Sequence, residues 1–378
     1  MFRRKKVENR EDLEGDLLRR DSFKVGQQST FQPKSSKQLL RGIFNKPPLP
    51  GGLGPLPEAA QAQTSTSEPA FAGHAKPSEK SFDQLYWPDY FDAKEAVSIT
   101  KEGEDGAQVT LDFNLYTAGG DAGPLVLCVH GGGYTALTWA LVAKRIKSKG
   151  VRVAALDLRG HGESPHMDDM SSEALATDVC DVWNAKYGQG GDPPPTVLLG
   201  HSLGGAVAIK AAKRGIPTLA GLIVMDVVEG TALASLPYMS NVIAKRPTEF
   251  KTVNQIVQWA FSQGSTRNFE AARVSHPSQF RFDKDREAFV WITDLHKTEP
   301  FWKEWYTGLS AAFLSIPAPK LLLLAGTDRL DKELTIGHMQ GKFQMKVLPT
   351  GHAIQEDDPD KTSEAIMDFV TRYKLTES

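Results

Sequence analysis

Five short, almost wholly apolar runs constrain this chain more than any other feature of its sequence. They are PLVLCVH (124–130), VRVAALDL (151–158), TVLLG (196–200), LAGLIVMD (219–226) and KLLLLAG (320–326), with KFQMKVLP (342–349) as a weaker sixth. Helical periodicity follows the first three: a stretch to about Lys149, Ser171 to Tyr187 with Ser171 or Ser172 as N-cap, and HSLGGAVAIKAAKRG closed by Gly215. A last helix is expected over about Asp360 to Tyr373. A strand that is apolar on both faces must be covered on both faces. The alternation therefore predicts an α/β architecture, a mostly parallel central sheet with helices on either side. Upstream, AVSITKEG and AQVTLDFNLYTAG alternate apolar and polar residues and read as an antiparallel strand pair.

Two stretches fall outside this rhythm. Residues 1–80, which include KPPLPGGLGPLPEAAQAQTSTSEPAFAGHAKP, are rich in Pro, Gly, Ser and Ala. They offer too little apolar surface to offset the entropy of ordering, so a disordered tail is expected. Folding should begin at about residue 81, where Phe82, Tyr86, Trp87, Tyr90 and Phe91 cluster. The second exception, about 229–319, separates the fourth and fifth runs. It has helical periodicity, no parallel-strand run and many aromatics, among them Trp259, Phe261, Phe289, Trp291, Phe301, Trp302 and Trp305. An insertion of that size in an α/β sheet predicts a helical cap over the site. Any one of these aromatics serves equally well as the cap's own core. The expectation is one domain over 81–378 carrying an inserted cap.

Composition excludes several classes. Lys+Arg 44 against Asp+Glu 46 leaves a formal charge of −2, so no global basic field exists to hold nucleic acid or an anionic membrane. No apolar run approaches the roughly 20 residues of a membrane span, and the charged start lacks the apolar stretch of a signal peptide. Two cysteines, Cys128 and Cys180, make neither a disulfide framework nor a zinc site by themselves. An intracellular, cytoplasmic protein is expected. Arg3-Arg4-Lys5-Lys6 is a candidate nuclear-import run, although most such clusters are simply solvated basic tails. No Walker loop, dinucleotide fingerprint or metal-ligand cluster appears, so no cofactor or metal is expected.

The chemistry is carried by turns between strands and helices. Gly200-His201-Ser202-Leu203-Gly204 matches G-x-S-x-G and sits between an apolar run and a helix. There a sharp turn lifts a serine hydroxyl out of the sheet, whereas the string alone would signify only a tight Gly/Ser turn. His130-Gly131-Gly132-Gly133 closes an earlier run, in the place of an oxyanion loop. The oxyanion of acyl transfer needs two backbone N–H groups, expected from Leu203 and Gly132. Serine also needs a base. Of nine histidines, His352 follows the last strand and precedes the final helix, where this architecture places it. His130 and His201 belong to the glycine turns and read as structural, and His161 as a support for the site. The acid that orients the base is left open by spacing. Asp226 and Asp328 each follow a strand end and can each reach a histidine there. The loser would be a loop-fixing or helix-capping aspartate.

Taken together, these residues resemble the protein phosphatase methylesterases of the α/β-hydrolase fold. HGGGYTALTW, ALDLRGHGES, GHSLGGAVAI, MDVVEGTA, RPTEFKTVNQIVQW, SQGSTRNFEAARVS and PKLLLLAGTDRLDKELTIGHMQGKFQMKVLPTGHAIQEDDPDK all look like the family's, from about Ser81 to Tyr373. The resemblance implies demethylation of the carboxyl-terminal leucine of the protein phosphatase 2A catalytic subunit, with Ser202 as nucleophile, Asp226 as acid and His352 as base. It implies that Met339 to Gln344 lies near the phosphatase-binding surface, and that the free enzyme's triad is rearranged on docking. The long acidic cap insert of animal members is missing here, and the N-terminal tail has no recognisable counterpart. The same triad would also suit a general small-molecule carboxylesterase, and the same fold a non-catalytic phosphatase-binding inhibitor.

Overall fold

Strand β3 (Leu125–Val129) shows how the sheet is built. Leu125, Leu127 and Val129 pack into the core on one face, and Val126 and Cys128 into the core on the other. The structure, a computed structural model, describes residues 82–376 except 103–105, 190 and 327–329. The expected tail and the basic run at Arg3 to Lys6 lie outside the described residues, as does Asp328. The period-2 partition recurs in β5 (Thr196–His201), β6 (Leu219–Met225) and β10 (Lys320–Leu324). Burying an aliphatic side chain of this size contributes about 1.5–3 kcal/mol, so a strand apolar on both faces is held only between two layers.

Eight strands form one sheet in the order β1-β2-β4-β3-β5-β6-β10-β11. β1 (Ala93–Glu102) and β2 (Gln108–Ala118) pair antiparallel, and β2 is also antiparallel to β4 (Arg152–Leu156). From β4 to β11 (Gln344–Val347) every pairing is parallel. Helices α1 (Ala140–Ile146) and α11 (Pro359–Arg372) contribute to one face, and α2 (Ser172–Tyr187) and α3 (Leu203–Arg214) to the other. Ser171 caps α2, its hydroxyl accepting from the Ala174 N–H. No helix among the described residues is long and apolar enough to cross a membrane.

The insert between β6 and β10 is less purely helical than its sequence suggests. It holds α4 (Glu229–Ala244), α5 (Val253–Ser262), α6 (Phe269–Val274), α7 (Trp302–Tyr306) and α8 (Leu309–Ser315). It also holds a three-stranded antiparallel sheet, ordered β7 (Glu249–Phe250), β9 (Ala288–Trp291), β8 (Phe280–Asp283). Phe250, Trp259, Phe280, Phe289 and Trp291 gather around it as a small aromatic core of their own. These aromatics therefore stabilise the insert independently of the main sheet.

Candidate active site

Strand β5 ends at His201 and α3 begins at Leu203, so Ser202 alone makes the turn. It does so at φ 54°, ψ −121°, a conformation that costs a non-glycine residue roughly 1–3 kcal/mol. Glycines on either side make the close packing possible. A Cβ on Gly200 would run into the Gly204 carbonyl, and one on Gly204 into the Val129 and His130 carbonyls. The elbow is thus wedged against the end of β3, which brings the HGGG loop beside it.

Asp226 follows β6 directly and also has a positive φ, 50°. Its N–H donates to the Leu323 carbonyl at 2.8 Å, and its Oδ1 accepts from the Ala325 N–H at 2.9 Å. Oδ2 lies 2.8 Å from Nδ1 of His352. The carboxylate therefore accepts the Nδ1 proton and directs the lone pair of Nε2 outward. His352 lies between β11 and α10 (Ile354–Asp357). The turn is tied down by Asp357, whose Oδ2 accepts from the Gly351 N–H at 2.6 Å and whose Oδ1 accepts from the Arg267 N–H at 2.7 Å.

The other histidines near the cleft are buried and hydrogen-bonded in neutral form. His201 donates from Nε2 to the His352 carbonyl at 2.9 Å, and burial pulls its pKa down to about 3. His161 Nε2 accepts from the Gly133 N–H at 3.0 Å while Nδ1 donates to the Arg159 carbonyl; burial lowers its pKa to about 4. His130 Nε2 accepts from the Leu158 N–H at 3.0 Å, and burial holds its pKa well below the usual range. These bonds spend the Gly133 N–H on His161. Gly132 lines the cleft beside Leu203, whose own N–H opens a helix and has no acceptor in a preceding turn. Gly132, Leu203, Ser202, Asp226 and His352 all line one cleft.

A match to the Alpha/beta hydrolase family spans residues 126–365. Protein phosphatase methylesterase 1 from Bos taurus is 39% identical over 384 aligned positions, covering 89% of this chain and 96% of the bovine protein. The Schizosaccharomyces pombe protein of that name is 41% identical, covering 75% of this chain and 84% of its own length. The chain belongs to the protein phosphatase methylesterase family. Solved structures of lower identity match in fold. E-2-(acetamidomethylene)succinate hydrolase superposes with a TM-score of 0.59 at 18% identity, covering 73% of this chain and 99% of that one. A Mycobacterium tuberculosis esterase gives 0.55 at 19% identity, covering 73% and 92%.

As a member of this family the chain is a carboxylic ester hydrolase, and its cleft holds features that the sequence did not disclose. Tyr306, at the end of α7 in the insert, stands beside Ser202 in the cleft, and burial pushes its phenol up to about 12. Only the packing of α7 over the elbow places it there, and no motif announces it. Arg246, just beyond α4, also reaches the cleft. The remaining wall is mostly apolar, with Leu236, Met239, Ile243, Leu295, Trp302 and Trp305 beside the hydroxyls of Thr231 and Ser235. Trp302 and Trp305, ambiguous in sequence, are shared between this wall and the main core.

Proposed function

We propose that this protein is a protein phosphatase methylesterase in which Ser202, His352 and Asp226 form the catalytic triad. The observation that carries this reading is the alignment of three strand ends. The strained Ser202 turn after β5, Asp226 after β6 and His352 after β11 converge on one cleft with Asp226 and His352 already bonded. In the mechanism, His352 Nε2 takes the Ser202 proton as Oγ attacks the methyl ester carbonyl. The Gly132 and Leu203 N–H groups hold the oxyanion. Asp226 holds the imidazolium through Nδ1. Methanol leaves with the proton from His352, and water then hydrolyses the acyl-enzyme by the same route.

The substrate proposed is the methylated carboxyl-terminal leucine of the protein phosphatase 2A catalytic subunit. A one-carbon leaving group gives almost no binding energy for selection, so specificity must come from the acyl side and from the docked protein. The apolar wall around Leu236, Met239 and Leu295 suits a leucine side chain. The prominently exposed Met339, 82% accessible at the end of α9 (Lys332–Met339), suits a protein-docking surface, while Phe343 in the same Met339 to Gln344 segment is buried against Phe313. An intracellular setting fits the free thiols of Cys128 and Cys180. Release of methanol from methylated phosphatase, abolished in Ser202→Ala, is the expected result. Equal turnover of short esters and methylated phosphatase would favour a general carboxylesterase. Demethylation by Ser202→Ala would sink the serine-enzyme reading.

A further inference from the structure

A second, larger cleft adjoins the catalytic one. About 360 Å³ in volume, it shares Gly132, Tyr134, Arg246 and His352 with the first cleft and continues into the insert between Trp259 and Trp291. Its polar lining is dominated by hydrogen-bond donors. Arg246 stands over the Trp291 ring at 5.2 Å, and among the described residues no carboxylate is paired with it. Burial lowers the pKa of its guanidinium, so its charge is held at a cost in solvation. Lys245 joins it on the rim, and among the described residues no Asp or Glu lines the cleft.

Two further side chains point to a ligand. His276 and Gln279 line the same cleft, 2% and 7% exposed. Gln279 Nε2 and both ring nitrogens of His276 lack a hydrogen-bond partner. Glu356 packs against His276, its Oε2 standing 3.4 Å from Nε2, but it does not line the cleft. Its Oε1 is taken up by Thr138 and Ser275. His276 Nε2 has Glu356 as its neighbour, whereas Gln279 Nε2 has no acceptor among the described residues; a buried donor left so is costly, which argues that its acceptor comes with the ligand.

We propose that this cleft is a subsite for an acidic side chain of the substrate peptide, a few residues upstream of the esterified carboxyl terminus, with Arg246 as its main partner and Gln279 and His276 as further donors. The proposal rests on the methylesterase reading, because it takes the acyl group to be a peptide. The serine ester lies against Gly132 and Leu203, and the chain leading to it leaves through the wall that both clefts share. An extended residue spans at most roughly 3.3–3.6 Å, so the wide cleft holds several residues of that chain. Arg246 then fixes register. A carboxylate on the guanidinium sets which peptide carbonyl meets Ser202.

The test uses the full-length Ser202→Ala protein and fluorescein-labelled peptides ending in leucine methyl ester, with Asp, Asn or Lys placed in turn at each of the five preceding positions. Anisotropy gives the dissociation constants. At one position Asp should bind about 10- to 100-fold more tightly than Asn, and Lys more weakly still. Adding Arg246→Gln should erase that preference, while Arg246→Lys should keep part of it; melting temperatures show that both variants fold. Absence of an Asp preference at every position overturns the proposal, whatever the Arg246 variants do. So does an undiminished preference in folded Arg246→Gln. Methanol release by the wild-type protein is measured separately on the same peptides. Binding selectivity without any hydrolysis would overturn the methylesterase reading and leave the subsite standing.

Discussion

His352 Nδ1 meets Asp226 Oδ2 at 2.8 Å, and Asp226 reaches it from the end of β6, with its other oxygen held by the Ala325 N–H at the end of β10. One carboxylate thus orients the base and bridges two adjacent strand ends. Asp226→Asn should keep the fold but present an N–H where the imidazole needs an acceptor. Turnover of methylated phosphatase is expected to drop about 1,000- to 10,000-fold. Asp328→Asn should stay near wild type in the same assay. Wild-type turnover by Asp226→Asn would remove it from the triad.

The strain at Ser202 predicts an opposition between stability and activity. A residue held at φ 54° without need of its side chain is better replaced by glycine than by alanine. Ser202→Gly and Ser202→Ala both lose the hydroxyl and whatever contacts it makes, so comparing them isolates the backbone term. Both should be inactive. Ser202→Gly should unfold in denaturant with about 1 kcal/mol more stability than Ser202→Ala. An equal or lower stability for the glycine variant would mean that the elbow is not strained.

The sheet was legible because its signal is local. A strand buried on both faces has to be apolar throughout, and the runs at 124–130, 196–200, 219–226 and 320–326 became β3, β5, β6 and β10. The turns that hold Ser202 and His352 were legible because strand–turn–helix junctions carry their glycines with them. The small sheet of the insert was missed, although Phe280 and Phe282 alternate with polar residues before a polar turn at 284–287. Its strands are only two to four residues long, too short for periodicity to separate them from helix. Tyr306 and Arg246 were illegible for a different reason. Their positions arise where the insert lands on the elbow, and that placement depends on long-range packing.

Tyr306 offers a way to test how the resting nucleophile is held. Its phenol shares the cleft with the Ser202 hydroxyl, and a hydrogen bond between them would compete for the group that His352 must deprotonate. A hydrogen bond of this kind is worth roughly 0.5–1.5 kcal/mol net. If Tyr306 competes with His352 for Ser202, Tyr306→Phe should speed labelling of Ser202 by a fluorophosphonate about 2- to 10-fold. A slower reaction would instead make Tyr306 an aid to the nucleophile. Labelling rates of the two folded proteins at one pH decide between these roles.

Three buried imidazoles next to the cleft predict how stability responds to acid. His130, His161 and His201 are neutral in the fold, with burial lowering each pKa, to about 4 for His161 and about 3 for His201. In the unfolded chain each takes a proton near pH 6.5. Below that value the unfolded state binds more protons than the native state, so the three together remove stability as pH falls from about 6.5 towards 4. Each contributes a slope of up to about 1.4 kcal/mol per pH unit. Asp157 and Asp357 oppose this, because burial raises their carboxyl pKa values and the native state then holds the extra proton. The comparison that isolates the histidine contribution is wild type against His161→Asn, whose amide oxygen can still accept from the Gly133 N–H. Urea midpoints between pH 7.5 and 4.5 should fall less steeply in the variant, by close to one proton's worth of slope. Parallel curves would show that His161 is already protonated in the fold, and the oxyanion loop would then need another acceptor for Gly133.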